Sequence, residues 1–206
     1  MKKGKMCQPE GNYYNKYDSK NLIEKKLMSG FYLSLKDLLK TVKLRGGGYI
    51  LEAGCGEGYI AEYIAKYNKT ASIEAFDISS KIIEQARKRC PESHFFVHNI
   101  YDNLGSKRYD LIVCCEVLEH MEYPKKAVKN LMNNGSKFIF SVPHEPIWSF
   151  MNLARGKYIK DFGNTPGHIQ RFTKRSFSKM LEECNLKVIK YHSPLPWLMI
   201  YCEKES

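Results

Sequence analysis

The sequence lacks a long apolar segment. Its longest apolar run, residues 195–202, is interrupted by Pro196 and is far shorter than the ~20 residues that a transmembrane helix needs. The first residues, MKKGKMCQPEGNYYNKY, contain no apolar stretch of the kind found in signal peptides. We therefore expect neither a membrane span nor a signal peptide.

Cysteine pairs of the C-x-x-C type are also missing. The chain has 7 cysteines, and Cys114 and Cys115 are adjacent within a predicted strand, which suits neither a disulfide framework nor a zinc knuckle. This pattern favours a reducing compartment, so we expect a cytoplasmic protein. Repeats and low-complexity tracts are absent as well, and 206 residues is an ordinary size for one domain.

The loop after the first predicted strand lacks one glycine of the dinucleotide-binding fingerprint. Residues 49–58 read YILEAGCGEG, which spaces the glycines G-x-G-x-G, whereas the fingerprint would need a glycine in place of Tyr59. Alternating glycines still permit a tight turn and close approach to a nucleotide-like ligand. With Glu52 two residues before the first glycine, the loop favours a ligand without a pyrophosphate over a nicotinamide cofactor. The three glycines are Gly54, Gly56 and Gly58.

An acid follows the second predicted strand, as nucleotide-binding α/β folds require. Residues 71–76 form a plausible strand, Asp77 follows it, and Ser79 and Ser80 mark a helix start. In such folds an acid about 20 residues after the glycine loop binds the ribose hydroxyls. The loop and the acid together are a specific signal, although each alone is weak.

With these motifs the sequence resembles the class I S-adenosylmethionine-dependent methyltransferases. LEAGCGEG is similar to their first motif, AFDIS to the ribose-binding strand end, FFVHNIYDN to the segment that frames the adenine, and YDLIVCCEVLEHM to the fourth strand and its following turn. SVPHEPIW, ARGKY and GNTPGHIQRF resemble a branch related to the ubiquinone-pathway O-methyltransferases. The resemblance implies S-adenosylmethionine as cofactor.

The same resemblance implies the cofactor contacts. The glycines would cradle the methionine end, Asp77 would bind the ribose, Asn99 and Ile100 would meet the adenine, and the Cys115 backbone would line the cofactor. A turn-forming role for Asn99 and a packed thiol at Cys115 remain alternatives. The predicted contacts are Glu52, Gly54, Gly56, Gly58, Asp77, Ile78, Asn99, Ile100 and Cys115.

A group of acids and histidines follows the fourth strand. If a helical turn begins at Glu116, then Glu116, Glu119 and His120 share one face, and they suit manganese, iron or zinc, with magnesium also possible. The E-x-x-E-H pattern resembles the metal site of small-RNA 2′-O-methyltransferases and of the ubiquinone-pathway enzymes. The former add a later histidine, for which His168 is the candidate fourth ligand in this chain. The alternative is that the acids hydrogen-bond loops around the cofactor.

Residues 143–170 form a long connection rich in proline and glycine. A connection of this length in a compact domain is usually a lid or a substrate wall. It carries His144 and His168, either of which could accept a proton from the acceptor as a general base. A structural role for each histidine is the alternative.

Positive charge concentrates at both ends of the chain. Residues 1–45 hold 11 Lys/Arg and 4 acids, residues 46–149 hold 12 and 13, and residues 150–206 hold 10 and 5, which gives +7, −1 and +5 of the net +11. This predicts an anionic acceptor, with Arg155, Lys157 and Arg171 as candidate contacts, unless the lysines are simply solvated. A nucleic acid is possible but not favoured, because no arginine-rich run is present. The sequence does not indicate an oligomeric state.

Apolar periodicity predicts a doubly wound α/β fold with a mostly parallel seven-stranded sheet, an N-terminal helix and the 143–170 insertion. We expect a helical cap over residues 1–45, with a helix at 20–44 broken near residues 29–30, and a methyltransferase domain over residues 46–206. By resemblance, the last strand is antiparallel. Predicted strands are 49–53, 72–76, 94–97, 109–114, 137–142, 186–191 and 197–203, and predicted helices are 57–67, 79–89, 124–132 and 174–184.

The sequence therefore predicts in-line methyl transfer from S-adenosylmethionine to an oxygen of a small or lipid-linked anionic acceptor. Metal-assisted RNA 2′-O-methylation is the second hypothesis, and a non-catalytic cofactor-binding partner protein is the third. A nicotinamide dehydrogenase is disfavoured by Tyr59.

Overall fold

The computed structural model describes residues 21–44, 47–156 and 158–205. Residues 1–20 of the predicted cap and the candidate anion contact Lys157 lie outside the described residues. Within the described residues, no helix is both long enough and apolar enough to cross a bilayer.

The first helix, α1, runs without a break over Leu22–Val42. Its N-cap is Asn21, whose side chain accepts a hydrogen bond from the Ile23 amide at 2.9 Å. The predicted break near Gly30 was wrong. A glycine in a helix costs only about 1 kcal/mol, and the fully buried side chains that follow it, Phe31 and Leu35, outweigh that cost.

In the part of the chain that the structure describes, seven strands alternate with five further helices. The strands are β1 Tyr49–Ala53, β2 Ser72–Asp77, β3 His94–Val97, β4 Leu111–Cys115, β5 Lys137–Pro143, β6 Leu186–His192 and β7 Trp197–Lys204. The helices are α2 Tyr59–Tyr67, α3 Ser80–Arg89, α4 Pro124–Leu131, α5 Ile147–Ala154 and α6 Lys174–Glu182, and there are short 3₁₀ turns at Leu118–His120 and Ile159–Asp161.

The strands form one sheet in the order β3-β2-β1-β4-β5-β7-β6. Neighbours from β3 to β5 pair in parallel, and β7 pairs antiparallel with both β5 and β6. The predicted doubly wound sheet and its antiparallel last strand are confirmed. The strand order reverses between β1 and β4, and in such sheets the ligand lies outside the carboxyl ends of the strands at that reversal.

Apolar residues pack on both faces of the sheet. Along β1, Ile50 belongs to the cluster that packs with α1, α2 and α3, while its neighbour Leu51 belongs to the cluster that packs with α4 and α6. The same alternation separates Leu111 from Ile112 in β4. Burial on both faces explains why the strands read as continuous apolar runs.

The 143–170 connection contains ordered structure. It holds α5 and the 3₁₀ turn Ile159–Asp161, which the sequence analysis did not predict. Because the connection leaves the carboxyl end of β5, it lies at the same edge of the sheet as the glycine loop.

Candidate functional site

The glycine loop is tied to the end of β2. The backbone amides of Gly54 and Cys55 both donate to the Phe76 carbonyl, at 2.8 and 2.9 Å. Gly54 has a φ of +73°, and a Cβ there would lie 2.4 Å from Cγ2 of Val117. Only glycine fits at this position, because both the backbone and the neighbouring valine exclude a side chain.

Asp77 holds the loop from the end of β2. Its Oδ2 accepts from the Gly56 amide and its Oδ1 from the Ser79 amide, each at 3.0 Å. Burial raises the pKa of Asp77, and these backbone amides oppose the shift. The Ile78 amide also donates to this carboxylate. An ionised carboxylate has about four lone-pair positions, so Asp77 keeps acceptor capacity for a ribose hydroxyl.

The helix that follows the loop begins at Tyr59, two residues later than predicted. Gly58 is its N-cap, with a φ of +83°, and a Cβ there would lie 3.1 Å from the Ala86 Cα. Arg89 supports this turn, because its guanidinium stacks 3.5 Å from the Tyr59 ring centre and its Nε donates to the Glu57 carbonyl at 3.1 Å. Arg89 lies 31 residues beyond Gly58 and was not predicted to belong to the site.

Glu52 is a buried acid beneath the loop. Only 2% of it is exposed. Burial raises its pKa well above the usual value, the Ala61 amide that donates to it lowers the pKa, and nearby Asp77 raises it further. Its Oε2 has no hydrogen-bond partner among residues 21–44, 47–156 and 158–205. A buried carboxylate oxygen of this kind suits the ammonium group of an amino-acid ligand.

The remaining predicted cofactor residues lie at the same edge of the sheet. Cys115 is buried at the end of β4 and Ile100 is buried after β3, whereas Ile78 is 42% exposed. The side-chain Oδ1 of Asn99 accepts from the Tyr101 amide at 3.0 Å. Asn99 therefore stabilises a local turn, which was the alternative role considered for it. The glycine loop, Asp77 and the buried carboxylate of Glu52 together fit S-adenosylmethionine.

Glu116 differs from the prediction. It has a φ of +59°, and the following 3₁₀ turn begins only at Leu118, so Glu116 does not share a helical face with Glu119 and His120. Its carboxylate instead accepts from Trp197 Nε1 at 2.6 Å and from Ser141 Oγ at 3.2 Å. The sequence could not reveal this contact, because Trp197 lies on the distant strand β7.

The other three predicted metal ligands do come together. One ligand atom from each of Glu119, His120 and His168 lies within 4.8 Å of the others. His120 Nδ1 is 2.9 Å from the Gly167 carbonyl, and since a carbonyl only accepts, Nδ1 carries the proton. The lone pair of the neutral ring is then on Nε2, which lies 4.0 Å from Glu119 Oε1. Two imidazoles and a carboxylate fit a divalent transition metal, and the backbone contact matches the usual support of a ligating histidine.

The insertion is anchored beside this cluster. The Ile169 and Gln170 amides donate to the Glu119 carbonyl at 2.8 and 2.9 Å. The Trp148 ring of α5 lies 5.6 Å from the His168 ring and 6.0 Å from the Trp197 ring. These aromatic rings form a wall between the insertion and the turn after β4.

His144 follows the end of β5, where its amide donates to the Pro196 carbonyl at 2.9 Å. Its Nδ1 is buried and has no hydrogen-bond partner in the part of the chain that the structure describes. Burial lowers the pKa of His144, with Lys174 acting in the same direction and Glu145 opposing it. Burial thus favours the neutral ring, which is the form that a general base needs.

The candidate anion contacts differ in availability. Arg155 donates through Nε to the Met151 carbonyl and through Nη2 to Asn152 Oδ1, each at 3.0 Å. Its Nη1 lies 3.6 Å from Oε1 of Glu24 in α1. These contacts commit most of its donors to the protein. Arg171 is exposed and makes one long contact of 3.5 Å to the Asp161 carbonyl.

Known proteins share this fold. Magnesium protoporphyrin IX methyltransferase from Synechocystis PCC 6803, solved with bound SAH, superposes with a TM-score of 0.70 at 18% identity and covers 91% of this chain and 89% of its own. A methyltransferase in a complex with the Haloferax volcanii Trm112 activator has a TM-score of 0.69 at 12% identity, over 88% and 92% of the two chains.

Sequence comparison gives the family. The ubiquinone biosynthesis O-methyltransferase of Coxiella burnetii is 29% identical over 115 residues, which cover 52% of this chain and 48% of that protein. The chain thus spans about half the length of the curated relatives that it matches. The model of the methyltransferase domain family matches residues 27–191. The chain therefore belongs to the methyltransferase domain family and resembles its class I, S-adenosylmethionine-dependent members.

Proposed function

We propose that this protein is an S-adenosylmethionine-dependent methyltransferase that transfers the methyl group in line to an oxygen of a small or lipid-linked anionic acceptor. The observation that carries the proposal is the junction of the glycine loop with Asp77, whose carboxylate holds the Gly56 amide at 3.0 Å. Glu52 adds a buried acceptor below the same loop.

The residues of the chain would act mainly by positioning. The sulfonium of the cofactor, when bound, supplies the activated methyl group. Gly54, Gly56 and Gly58 would hold its amino-acid end and Asp77 its ribose, while the aromatic wall of Trp148 and Trp197 would exclude water. Alignment of nucleophile, methyl carbon and leaving sulfur is worth up to about 7–11 kcal/mol, so little covalent help is needed.

His144 is the proposed base for the acceptor hydroxyl. It follows the carboxyl end of β5, and its neutral ring could take the proton as the oxygen attacks. His168 is the second candidate, although its place in the cluster with Glu119 and His120 also suits metal binding. An oxygen acceptor agrees with the name of the Coxiella relative.

Calorimetric titration with S-adenosylhomocysteine tests the cofactor assignment. We expect a Kd near 1 μM, which corresponds to about −8 kcal/mol. Asp77→Asn should weaken binding about tenfold, whereas Glu182→Gln, at an exposed position of α6, should leave it unchanged. No binding by the wild-type protein, or equal binding by both variants, would contradict the proposal.

Metal-assisted methylation of an RNA hydroxyl is the second candidate. The grouping of Glu119, His120 and His168 favours it. Titration of metal-stripped protein with Mn²⁺ should then release heat that His168→Ala abolishes and His94→Ala, at an exposed position, does not. RNA binding should also weaken steeply with salt. Binding of an acceptor with neither metal-dependent heat nor this salt dependence would contradict the RNA hypothesis and favour the first proposal.

A further inference from the structure

Glu116 has an unusual backbone conformation for a residue with a side chain. Its φ of +59° lies in the left-handed region that favours glycine. Such strain persists only where the surrounding structure holds it, and it clusters at functional sites. Here the Glu116 amide donates to the Ser141 carbonyl of β5 at 3.0 Å. With this backbone, the side chain of Glu116 contacts β5 and β7.

The Glu116 carboxylate joins three neighbouring strands at the carboxyl edge of the sheet. Glu116 directly follows β4, and its two oxygens accept from Ser141 Oγ on β5 at 3.2 Å and from Trp197 Nε1 on β7 at 2.6 Å. Both donor residues are buried. An indole nitrogen can only donate, and a buried donor that loses its acceptor is costly. The carboxylate therefore fixes the orientation of the Trp197 ring.

Trp197 lies between Glu116 and the residues of the insertion. Its ring centre is 6.0 Å from that of Trp148, which is 5.6 Å from that of His168. Phe31 of α1 packs edge to face against the same Trp197 ring at 5.2 Å. Because the Trp197 ring contacts both α1 and α5, a rotation of this ring would displace the aromatic wall.

The backbone beside Trp197 also holds His144. The Pro196 carbonyl accepts from the His144 amide at 2.9 Å, and Pro143, which precedes His144, is paired with Trp197 in the sheet. The start of β7 therefore determines where the His144 backbone lies. Glu116 is the side chain that connects this strand start to the end of β4.

We propose that Glu116 is a positioning residue of the methyltransferase site. Through Trp197 it fixes the aromatic wall on the acceptor side and the place of His144 relative to the end of β4. The inference rests on the proposed function, in which His144 is the base and the backbone of Cys115, the last residue of β4, lines the cofactor. Glu116 thereby sets the separation of the acceptor side from the cofactor side, on which in-line transfer depends.

Two substitutions separate the carboxylate from its strained backbone. Glu116→Gln keeps an oxygen that can accept from Trp197 and gains an amide that can donate to Ser141 Oγ, so it should behave as the wild type does. Glu116→Gly removes both contacts, and the turn should remain because glycine adopts this φ freely. Asn185→Gly is the matched control, since Asn185 has a φ of +61° and is exposed. Trp197→Phe removes the donor and keeps an aromatic ring, so the test does not depend on one variant.

NMR of the tryptophan indole protons tests the contact. The chain has 2 tryptophans, and Trp148 Nε1 donates to Thr165 Oγ1 at 3.0 Å, so Trp148→Phe assigns the two signals. In Glu116→Gly, the Trp197 Nε1 proton should exchange with solvent about tenfold faster, the effect of losing one buried hydrogen bond. In Glu116→Gln it should exchange as in the wild type.

NMR titration of the histidine rings tests whether His144 moves. Burial lowers the pKa of His144, and the charged groups that act on it, Glu145 and Lys174, are the same in every variant. In Glu116→Gly the titration midpoint of His144 should move toward its ordinary value of 6.5, because a displaced ring gains contact with water. Glu116→Gln should restore the wild-type midpoint. His94, whose side chain is 70% exposed, is the internal reference and should titrate alike in all variants.

Calorimetric titration with S-adenosylhomocysteine keeps this inference separate from the proposed function. All variants should bind as tightly as the wild type, and a wild-type protein that does not bind would contradict the proposed function alone. Wild-type indole exchange or a wild-type His144 midpoint in Glu116→Gly would overturn the positioning role, as would a failure of Glu116→Gln to restore both. Weaker binding by Glu116→Gly would assign Glu116 to the cofactor instead. Equal effects of Asn185→Gly would show that the lost carboxylate is not responsible.

Discussion

Glu52 shows how one buried side chain can couple cofactor binding to a proton. Burial raises its pKa well above the usual value, which favours the protonated form in the free protein. The ammonium group of a bound cofactor would favour the carboxylate and lower that pKa. Binding should then release a proton at pH values between the lowered pKa of Glu52 in the complex and its raised pKa in the free protein. We predict that S-adenosylhomocysteine binds more tightly as pH rises through the pKa of Glu52.

Calorimetry in buffers of different ionisation enthalpy measures this proton release. Glu52→Gln should abolish the part of the release that depends on Glu52 and weaken binding about tenfold or more, whereas Glu84→Gln, at an exposed position of α3, should change neither. The contribution of Glu52 to the free energy of unfolding of the unliganded protein should fall as pH rises. A carboxyl whose pKa is raised on folding loses its stabilising effect as pH rises through the folded pKa, so the unliganded Gln variant should be the more stable protein at high pH. Proton release that persists in Glu52→Gln would contradict the assignment.

Residue positions set by local sequence were predictable, and contacts between residues distant in sequence were not. Gly54 and Asp77 follow from the spacing of a loop and a strand end, and both lie where the sequence analysis placed them. Glu116 was assigned to a helical face because nothing near it in sequence shows that its carboxylate accepts a hydrogen bond from Trp197 Nε1 at 2.6 Å. The metal and base assignments of His168 and His144 stay predictions.

At the scale of elements, α1 is joined to the sheet edge by a polar contact. Asp37 of α1 accepts from Lys190 Nζ and lies 2.7 Å from His192 Nε2, both on β6. The hydrogen bond from Lys190, followed by that from His192, lowers the pKa of Asp37 below its ordinary value of 3.8. Stability from this group is therefore present above about pH 4 and is lost as pH falls through the lowered pKa.

We predict that Asp37→Asn lowers the melting temperature at pH 7 and not at pH 2. Because Asp37 is almost half exposed, screening limits the contact to at most about 1 kcal/mol, or about 2–4 °C for a chain of this size. Thermal unfolding followed by circular dichroism at both pH values checks this. Asp102→Asn is the control, and the effect at pH 7 should shrink in high salt. A loss of the same size at pH 2 would mean that side-chain packing, not charge, is responsible.

The elements that pack on the sheet were predictable because burial imposes a period on their sequences. Both ends of β1 and of β3 match the predicted ranges, since each strand is a short apolar run between turn residues. Helix α5 was missed for a physical reason. Its exposed face carries Phe150 and Leu153, so the contrast between apolar and polar faces that reveals other helices is absent.

At the scale of the whole molecule, the N-terminal helix packs into the same core as the sheet. The predicted boundary after residue 45 makes it a separate unit. Phe31 of α1, however, is fully buried in the same cluster as Ile50 of β1 and Trp197 of β7. Its ring meets Trp197 edge to face at 5.2 Å, and Trp197 in turn donates to Glu116 at the end of β4. This chain of contacts connects the helix to the cofactor side of the sheet.

We therefore predict one cooperative unfolding transition for α1 and the sheet. Phe31→Ala should lower the free energy of unfolding by about 3–5 kcal/mol, a large share of the 5–15 kcal/mol typical of a domain. Leu33→Ala, 64% exposed on the same helix, should change it by no more than about 0.5 kcal/mol. Urea unfolding followed by circular dichroism and by tryptophan fluorescence should give coincident curves for both variants. If helical signal were lost first while tryptophan fluorescence stayed native, α1 would be a separable cap. The contact between Phe31 and Trp197 would then not be needed to hold β7, whose Trp197 donates to Glu116.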